Sequence, residues 1–413
     1  MQSAYKIAGI DVHKRMLAVV VAGESDGELS FQRQKFGAAP SDLRALRQWL
    51  TAAGVGEIVM ESTAQYWKPV WAELESNFQL YLAQAQSNRA PRGRKSDFAD
   101  AERLVRRHVA GELILSFVPD AEQRLWRTVT HAHVQLTNEK VRLVNQLEAL
   151  LEDAHIKLSS VVSDVVGVSA RRMLQALADG ETDATKLAAM ADRTLRATPE
   201  QLCDALQASA TLNPIYREML QQSLQRLRVF EQHLDELKKL IAQSLHTHQE
   251  AVARIAEVSG MGAHAAHQVI AEVGPKAATF ATASQMASWV GVCPGRQEST
   301  GESRSDRSPK GNRAMRRILN QAANAAVKAK GSVFQQQYRR LVSRLGHNKA
   351  VWAVAHKLCR VLWKILTQGV AYQEQGTRLS AVAVRKRTNR LTAELRRLGY
   401  VVHLTPCRSE ASA

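Results

Sequence analysis

Cysteine is scarce in this 413-residue chain: Cys203, Cys293, Cys359 and Cys407 stand far apart and form no CxxC pair. That spacing excludes a disulfide framework and a thiolate zinc site, and it suits a reduced, cytosolic setting. The 13 histidines form neither an HxxxH nor an HExxH pair, so zinc chemistry has no support. No GxxxxGK[ST] stretch occurs, which leaves an ATP-driven mechanism without its phosphate loop. No apolar run approaches the roughly 18 residues of a membrane span. The opening MQSAYKIAGID is expected to run straight into a strand, with no signal peptide before it. A cytoplasmic, nucleoid-associated protein with no membrane partner is the expectation.

Acidic residues are also in short supply. There are 39 Asp and Glu against 56 Lys and Arg, a net charge of +17 and a sequence pI near 10.0. The imbalance is localised: Gly291 to Tyr400 holds 23 Lys and Arg against five Asp and Glu, an excess of +18. Nucleic acid is the polyanion such a surface fits first. Hydrophobic residues make up 45% and charged ones 23%, enough to bury a real core. The length allows two or three domains at roughly 150 residues each.

The first hundred residues alternate strand and helix signals. Tyr5–Val12 and Met16–Ala22 are β-rich runs separated by the turn-like His13-Lys14-Arg15, and Leu29–Phe36 is a more polar third strand. Pro40-Ser41-Asp42 opens a helix carrying Leu43, Leu46 and Leu50, and strands at Glu57–Glu61 and Phe78–Ala83 flank a helix at Trp67–Ser76. This predicts an α/β domain with a mixed sheet. A helix from Ser96 to Ala110 follows.

Two helices of about thirty residues come next, a length and pattern that favour an antiparallel hairpin or a coiled coil. One places Leu125, Val129, Ala132, Leu136, Leu143, Leu147, Leu150 and Ala154 at 3/4 spacing, with Lys140 interrupting the register; the other carries Leu220 through Ile241. Short helices are expected between them, with a capping signal at Thr198-Pro199-Glu200. The remainder reads as helices around a polar loop at Gly291–Asn312, with basic helices at Val333–Leu345 and Ala350–Leu366 and a further one near Ala381–Leu398. Four segments result: 1–115, 116–252, 253–370 and 371–413.

Three constellations could carry chemistry. Asp11 and Glu61 each end an apolar strand, and Asp97 and Asp100 share one helix face at i, i+3. Such acids are costly unless something pairs them. Converging carboxylates are best neutralised by divalent cations, and hard oxygen ligands select Mg²⁺, or Mn²⁺, over zinc. Second, Val258-Ser259-Gly260-Met261-Gly262 has the hxxhxGhG pattern of a helix–hairpin–helix, whose turn at Gly260 and Gly262 can grip a phosphate through backbone amides; a plain helical packing joint gives similar letters. Third, the loop from Cys293 to Asn312 interleaves hydroxyls with Arg296, Arg304, Arg307 and Lys310, ahead of Arg313. It can be a phosphate cradle or hold a serine nucleophile. The basic loop Ser87–Lys95, with Arg92, Arg94 and Lys95, is a further candidate contact for a phosphate backbone.

These residues resemble a known group. Gly9-Ile10-Asp11-Val12-His13-Lys14, Met60-Glu61-Ser62-Thr63 and Lys95-Ser96-Asp97-Phe98-Ala99-Asp100-Ala101 look like the successive DEDD motifs of IS110-type transposases. Ser259-Gly260-Met261-Gly262, Trp289-Val290-Gly291, Pro294-Gly295-Arg296-Gln297-Glu298-Ser299-Thr300-Gly301 and Lys310-Gly311-Asn312-Arg313 are similar to their C-terminal domain. The resemblance spans about residues 5–370. It implies an RNase H/RuvC-like domain, a helical coiled-coil region and a helical C-terminal transposase domain, working as a site-specific DNA recombinase. It further implies that Asp11, Glu61, Asp97 and Asp100 hold Mg²⁺ and that Ser299 attacks DNA and becomes covalently linked to it. A structured bridge RNA would pair with target and donor DNA, and subunits would assemble as dimers and tetramers. Ser299 is chosen because it precedes Thr300-Gly301; Ser303 and Ser305 lie close by. Ala64 stands where many relatives have glycine.

Two other readings compete. A RuvC-like structure-specific nuclease would share the carboxylates but use a metal-activated water and need no serine. An architectural nucleic-acid binder would need only the basic segment and the glycine hairpin.

Overall fold

The first strand, Ile7–Val12 (β1), is apolar on both faces, and the fold of the N-terminal unit follows from that. A strand reading IAGIDV has no polar face to offer water except at Asp11, so it must lie in the middle of a sheet covered on both sides. It does: Met16–Ser25 (β2) and Glu28–Gly37 (β3) extend the sheet antiparallel on one side. Pro40–Ala52 (α1) then leads to Glu57–Ser62 (β4) parallel to β1; Trp67–Leu74 (α2) leads to Gln79–Ala83 (β5) parallel to β4. After Asp97–Val109 (α3), the short Leu115–Ser116 (β6) closes the edge antiparallel to β5, giving the order β3-β2-β1-β4-β5-β6. This mixed sheet is the RNase H-like type that the resemblance implied; only β6 has no counterpart in the sequence pattern, being two residues long.

The computed structural model describes residues 6–25, 28–62, 64–85, 87–88, 96–295, 297–299, 302–305, 308–374 and 381–404. Two compact units divide the chain, Met1–Glu122 and Gln123–Ala413. In the first, the alternation along each strand sorts residues between two cores. Ala8, Ile10, Val12, Ile58 and Met60 face α1 and α2, with Leu46, Leu50 and Leu74 fully buried among them. Ile7 and Val59 face the other way, onto Leu104 and Val105 of α3.

The second unit begins on Ala121–Asp153 (α4), passes through Leu158–Val161 (α5), Val168–Ala178 (α6), Ala184–Ala189 (α7) and Pro199–Ala205 (α8), and returns along Pro214–Ser244 (α9). The return is antiparallel: Lys140 pairs with Glu231 at 2.8 Å, Trp126 sits edge-on to His248, and Leu150 shares a core with Leu220. Thr198 caps α8 with Gln201 reaching back, as its sequence indicates. One expectation about α4 fails. Its first half buries Gln123, Trp126, Thr130 and His133, while Leu125 is 66% exposed. That half packs through Trp126 and Val129 together with polar contacts, Gln123 donating to the Ala271 carbonyl at 3.0 Å, so its buried face is mixed and leaves Leu125 outside it.

A second helical core follows, built from Gln249–Ala256 (α10), Ala263–Val273 (α11), Ala283–Val290 (α12), Arg313–Ala326 (α13) and Val333–Gln368 (α14). α14 bends at Gly346, so its two arms are the two basic helices read from the sequence. Between α12 and α13 the segment expected as a loop contains a hairpin of Gln297–Ser299 (β7) and Glu302–Ser305 (β8). Polar residues at every strand position hid it, because they leave no apolar alternation to mark the strands. Ala381–Arg397 forms a final helix, α15.

Candidate active site

β1 and β4 lie side by side in parallel with Asp11 opposite Glu61 in the register, so both carboxylates project from the same face at the same level. The face is the one α3 covers. Gly9, two residues before Asp11, allows this: a Cβ there would stand 2.3 Å from the Ala101 carbonyl oxygen of α3. Any side chain at position 9 would push the helix off the strand. With the helix seated that closely, Asp97 and Asp100 in its first turn come to the end of the strands. The four predicted acids therefore meet at one sheet edge.

Three neighbours hold them there. His13 Nε2 lies 3.1 Å from Asp11 Oδ2 and 3.6 Å from Asp97 Oδ1, bridging strand and helix. Asn88 Nδ2 donates to Glu61 Oε2 at 2.5 Å. Arg103, one turn after Asp100, forms an ion pair with it and donates to the Asn88 carbonyl at 3.2 Å. Lys35 of β3 approaches Asp97 at 3.9 Å.

The compensation is incomplete. Asp11 is held above the usual aspartate range, chiefly by burial, with Asp100 and Asp97 adding to the rise and His13 opposing it. Glu61 is raised by burial too; the Asn88 hydrogen bond works against this and the charges of Asp11 and Asp100 work with it. Asp11, His13 and Asp97 offer ligand atoms all within 4.8 Å of one another, a group able to hold a metal ion. Asn88 Oδ1, buried and without a hydrogen-bond partner among the described residues, is a neutral oxygen beside Glu61. Oxygen donors carrying excess negative charge fit a hard divalent cation.

His13, Asn88 and Arg103 were not singled out from the sequence. Two of them left a signal: Asp11-x-His13 places both side chains on one face of an extended segment, and Asp100 and Arg103 are an i, i+3 pair. Asn88 left none, since its loop reads only as basic. Ala64 sits at φ +57, the left-handed region where glycine is at ease.

The other predicted residues lie mainly in the second unit. The β7 backbone places Ser299 opposite Glu302, next to the turn of the hairpin; Ser303 pairs with Glu298 and Ser305 with Gln297. The side chains of Ser299, Ser303, Ser305 and Arg304 lie outside the described residues, as do Arg92, Arg94, Lys95, Arg296 and Arg307. Lys310 and Arg313 are exposed at the hairpin's exit. Gly260, at φ +87, lies against α13, where a Cβ would stand 2.3 Å from the Ala322 carbonyl oxygen; Gly262 is exposed and precedes α11.

The exit from the hairpin is anchored by a carboxylate the sequence reading passed over. Glu272 of α11, 2% exposed, receives His131 at 2.6 Å and Asn312 Nδ2 at 2.9 Å, with Arg127 at 3.6 Å. Burial alone would raise it, but these partners outweigh that and hold it below its ordinary value. Asn312 in turn caps α13, accepting from the Met315 amide at 2.8 Å.

Comparison with known proteins agrees with this architecture. Residues 8–156 match the family model of the DEDD transposases of IS110 type, and residues 252–339 match that of the IS116/IS110/IS902 transposases. A probable family 20 transposase of Pseudomonas aeruginosa is 25% identical over 328 residues, covering 76% of this chain and 85% of that protein. The transposase of insertion sequence element IS1111A from Coxiella burnetii is 24% identical over 381 residues, 89% and 91% of the two chains. The Thermus thermophilus RuvC structure aligns with 27% of this chain and 99% of its own, at 14% identity and a TM-score of 0.22. The protein is thus an enzyme of the DNA transposase class. It belongs to the IS110 family of insertion-sequence transposases, whose two models together span more than half of its length. Among the described residues no helix is long and apolar enough to cross a membrane.

Proposed function

We propose that this transposase moves its element by DNA cleavage and strand exchange, with Asp11, Glu61, Asp97 and Asp100 as Mg²⁺-binding carboxylates and Ser299 as nucleophile. The observation that carries the proposal is the meeting of four acids at the ends of neighbouring strands, with fewer cations among the described residues than their charge requires. Mg²⁺, with Mn²⁺ as its close substitute, would supply neutralisation and stabilise negative charge developing on phosphorus. Asp11, Glu61, Asp97 and Asp100 would hold it, with His13 and Arg103 setting the carboxylate positions.

The chemistry is a transesterification. Ser299 Oγ loses its proton and bonds to phosphorus, the bond from phosphorus to the strand's sugar oxygen breaks, and that oxygen takes up a proton. A phosphoserine ester replaces the phosphodiester, so no bond energy is lost to water. The basic residues around the hairpin, Arg296, Arg304, Arg307, Lys310 and Arg313, with Arg92, Arg94 and Lys95 and the turn at Gly260 and Gly262, would hold the backbone. On this reading 1–115 is the carboxylate domain, 116–252 the coiled-coil region, 253–370 the serine domain and 371–413 a basic extension. A structured RNA guide and a dimeric or tetrameric assembly follow from the family resemblance.

Ser299→Ala separates this from a hydrolytic nuclease. Denaturing gels of reactions with labelled DNA should lose the covalent protein–DNA adduct while binding persists, and Asp11→Ala should lose it too. Adducts that survive Ser299→Ala would move the nucleophile to Ser303 or Ser305; cleavage without any adduct in the unaltered protein would sink the serine mechanism.

A further inference from the structure

At the bend of α14, where Gly346 adopts φ +74, the first arm folds back along the second. Gln337 Nε2 donates to the Ala353 carbonyl at 3.3 Å, and the Tyr338 hydroxyl meets His347 Nδ1 at 2.9 Å. The two arms and the start of α12 enclose an open groove of about 480 Å³. His356, Lys357, Arg360 and Lys364 line it, together with Gln337 and Trp363, and among the described residues no Asp or Glu does. His356, Arg360 and Lys364 follow at four-residue intervals, each about 6 Å further along one helix face. The opposite face of the same arm, Leu358, Leu362, Ile365 and Leu366, is buried in the core, so the stripe is presented on a fixed element.

Among the described residues none of His356, Lys357, Arg360 and Lys364 forms an ion pair, and Lys357 lies over the Phe334 ring at 5.9 Å. Lys357 is held below the ordinary lysine value chiefly by burial; Glu374 works against this and Arg340 adds to it. Glu374 is itself engaged, accepting from the Val333 amide at 2.9 Å, the Tyr372 hydroxyl at 2.8 Å and Ser259 at 3.3 Å. Elsewhere in this unit Arg171 and Lys140 share Glu231. Trp363 spends its single N–H on the Phe280 carbonyl at 2.9 Å, and Gln337 gives one of its two amide N–H groups to Ala353.

We propose that this groove is a nucleic-acid backbone site, in which successive phosphates of one strand lie along the α14 stripe against Arg360 and Lys364, with Lys357 behind them. Flexible cations spaced along one helix face suit contact with a phosphate backbone. Among the described residues, none that lines the groove belongs to the serine hairpin or to the glycine turn. The site rests on the recombinase reading only in that such an enzyme must hold nucleic acid.

The test measures binding and not chemistry, so failure of the Ser299 assignment would leave it standing. Lys357→Gln, Arg360→Gln and Lys364→Gln, singly and together in the full chain, are titrated by fluorescence anisotropy across a salt series. The probes are a duplex DNA, a single-stranded DNA and an RNA of one sequence. The triple variant should bind at least one probe about tenfold or more weakly, with the slope of log affinity against log salt reduced by about 2 to 3. Arg360 and Lys364 are exposed, so their single variants keep the fold and should each lower the slope by about 1. A loss confined to RNA assigns the groove to RNA, one confined to DNA assigns it to DNA, and equal losses show a backbone contact common to both. Unchanged affinity and slope with all three probes, at unchanged melting temperature, would overturn the proposal.

Discussion

The two units treat buried charge in opposite ways. In the second, carboxylates are matched: Glu272 has Arg127, His131 and Asn312, and Glu231 takes both arms of Arg171, at 2.6 and 2.8 Å, plus Lys140. Both are held below their ordinary range, Glu231 to about 2 through the Arg171 hydrogen bonds first. In the first unit four carboxylates converge, and Asp11 and Glu61 are pushed up by burial first and then by neighbouring carboxylates, Asp100 acting on both. Matched charges fix helices; mismatched ones store an unfavourable energy that a bound cation releases. Raised against lowered carboxylates thus separate a site from a scaffold.

Three changes would sharpen or break that contrast. The largest effect is expected from Glu272→Ala, which removes the buried carboxylate that His131, Asn312 and Arg127 share: stability should fall by about 3–5 kcal/mol, read by urea unfolding. A loss under about 1 kcal/mol would show that solvent already compensates Arg127. Glu231→Gln comes second and carries a pH signature. Its folded value lies below the unfolded one, so its contribution is full above roughly pH 4.5 and disappears as pH falls toward about 2. With solvent screening of this partly exposed group, the difference from the unaltered protein at pH 7 should be on the order of 1–2 kcal/mol, closing on acidification. A difference independent of pH would assign the effect to packing. The smallest is a gain: Asp11→Asn relieves the crowding among acids, so the melting temperature without divalent cation should rise slightly. Added Mg²⁺ should then stabilise the unaltered protein more than the variant. A fall in melting temperature would mean that the His13 pairing outweighs the repulsion.

Much of the site was legible because the constraints were local. Asp11 ends an apolar strand, Glu61 ends another, and Asp97 and Asp100 are one helical turn apart; strand and helix periodicities fix the side of the element on which each lies. Lys140, which broke the apolar register of its helix, is explained by Glu231 on the returning helix, a partner 91 residues away that no spacing could name. The misplaced stripe on α4 has the same origin. Leu125 had the right character for burial, but Gln123 and Thr130 found acceptors and took that face.

The amino-acid sequence alone determined the elements, the positions of the acids within them, and the concentration of basic charge after Gly291, because these depend on neighbours one to four residues away. Only the folded chain decided that β1 and β4 align Asp11 with Glu61, that Gly9 lets α3 descend until its aspartates reach them, and that Asn88 turns inward. Likewise, only the bend at Gly346 brings the first arm of α14 beside the cations of the second to form a groove. Register and close approach are set by packing between distant segments, and the energy of that packing is not written at any one position.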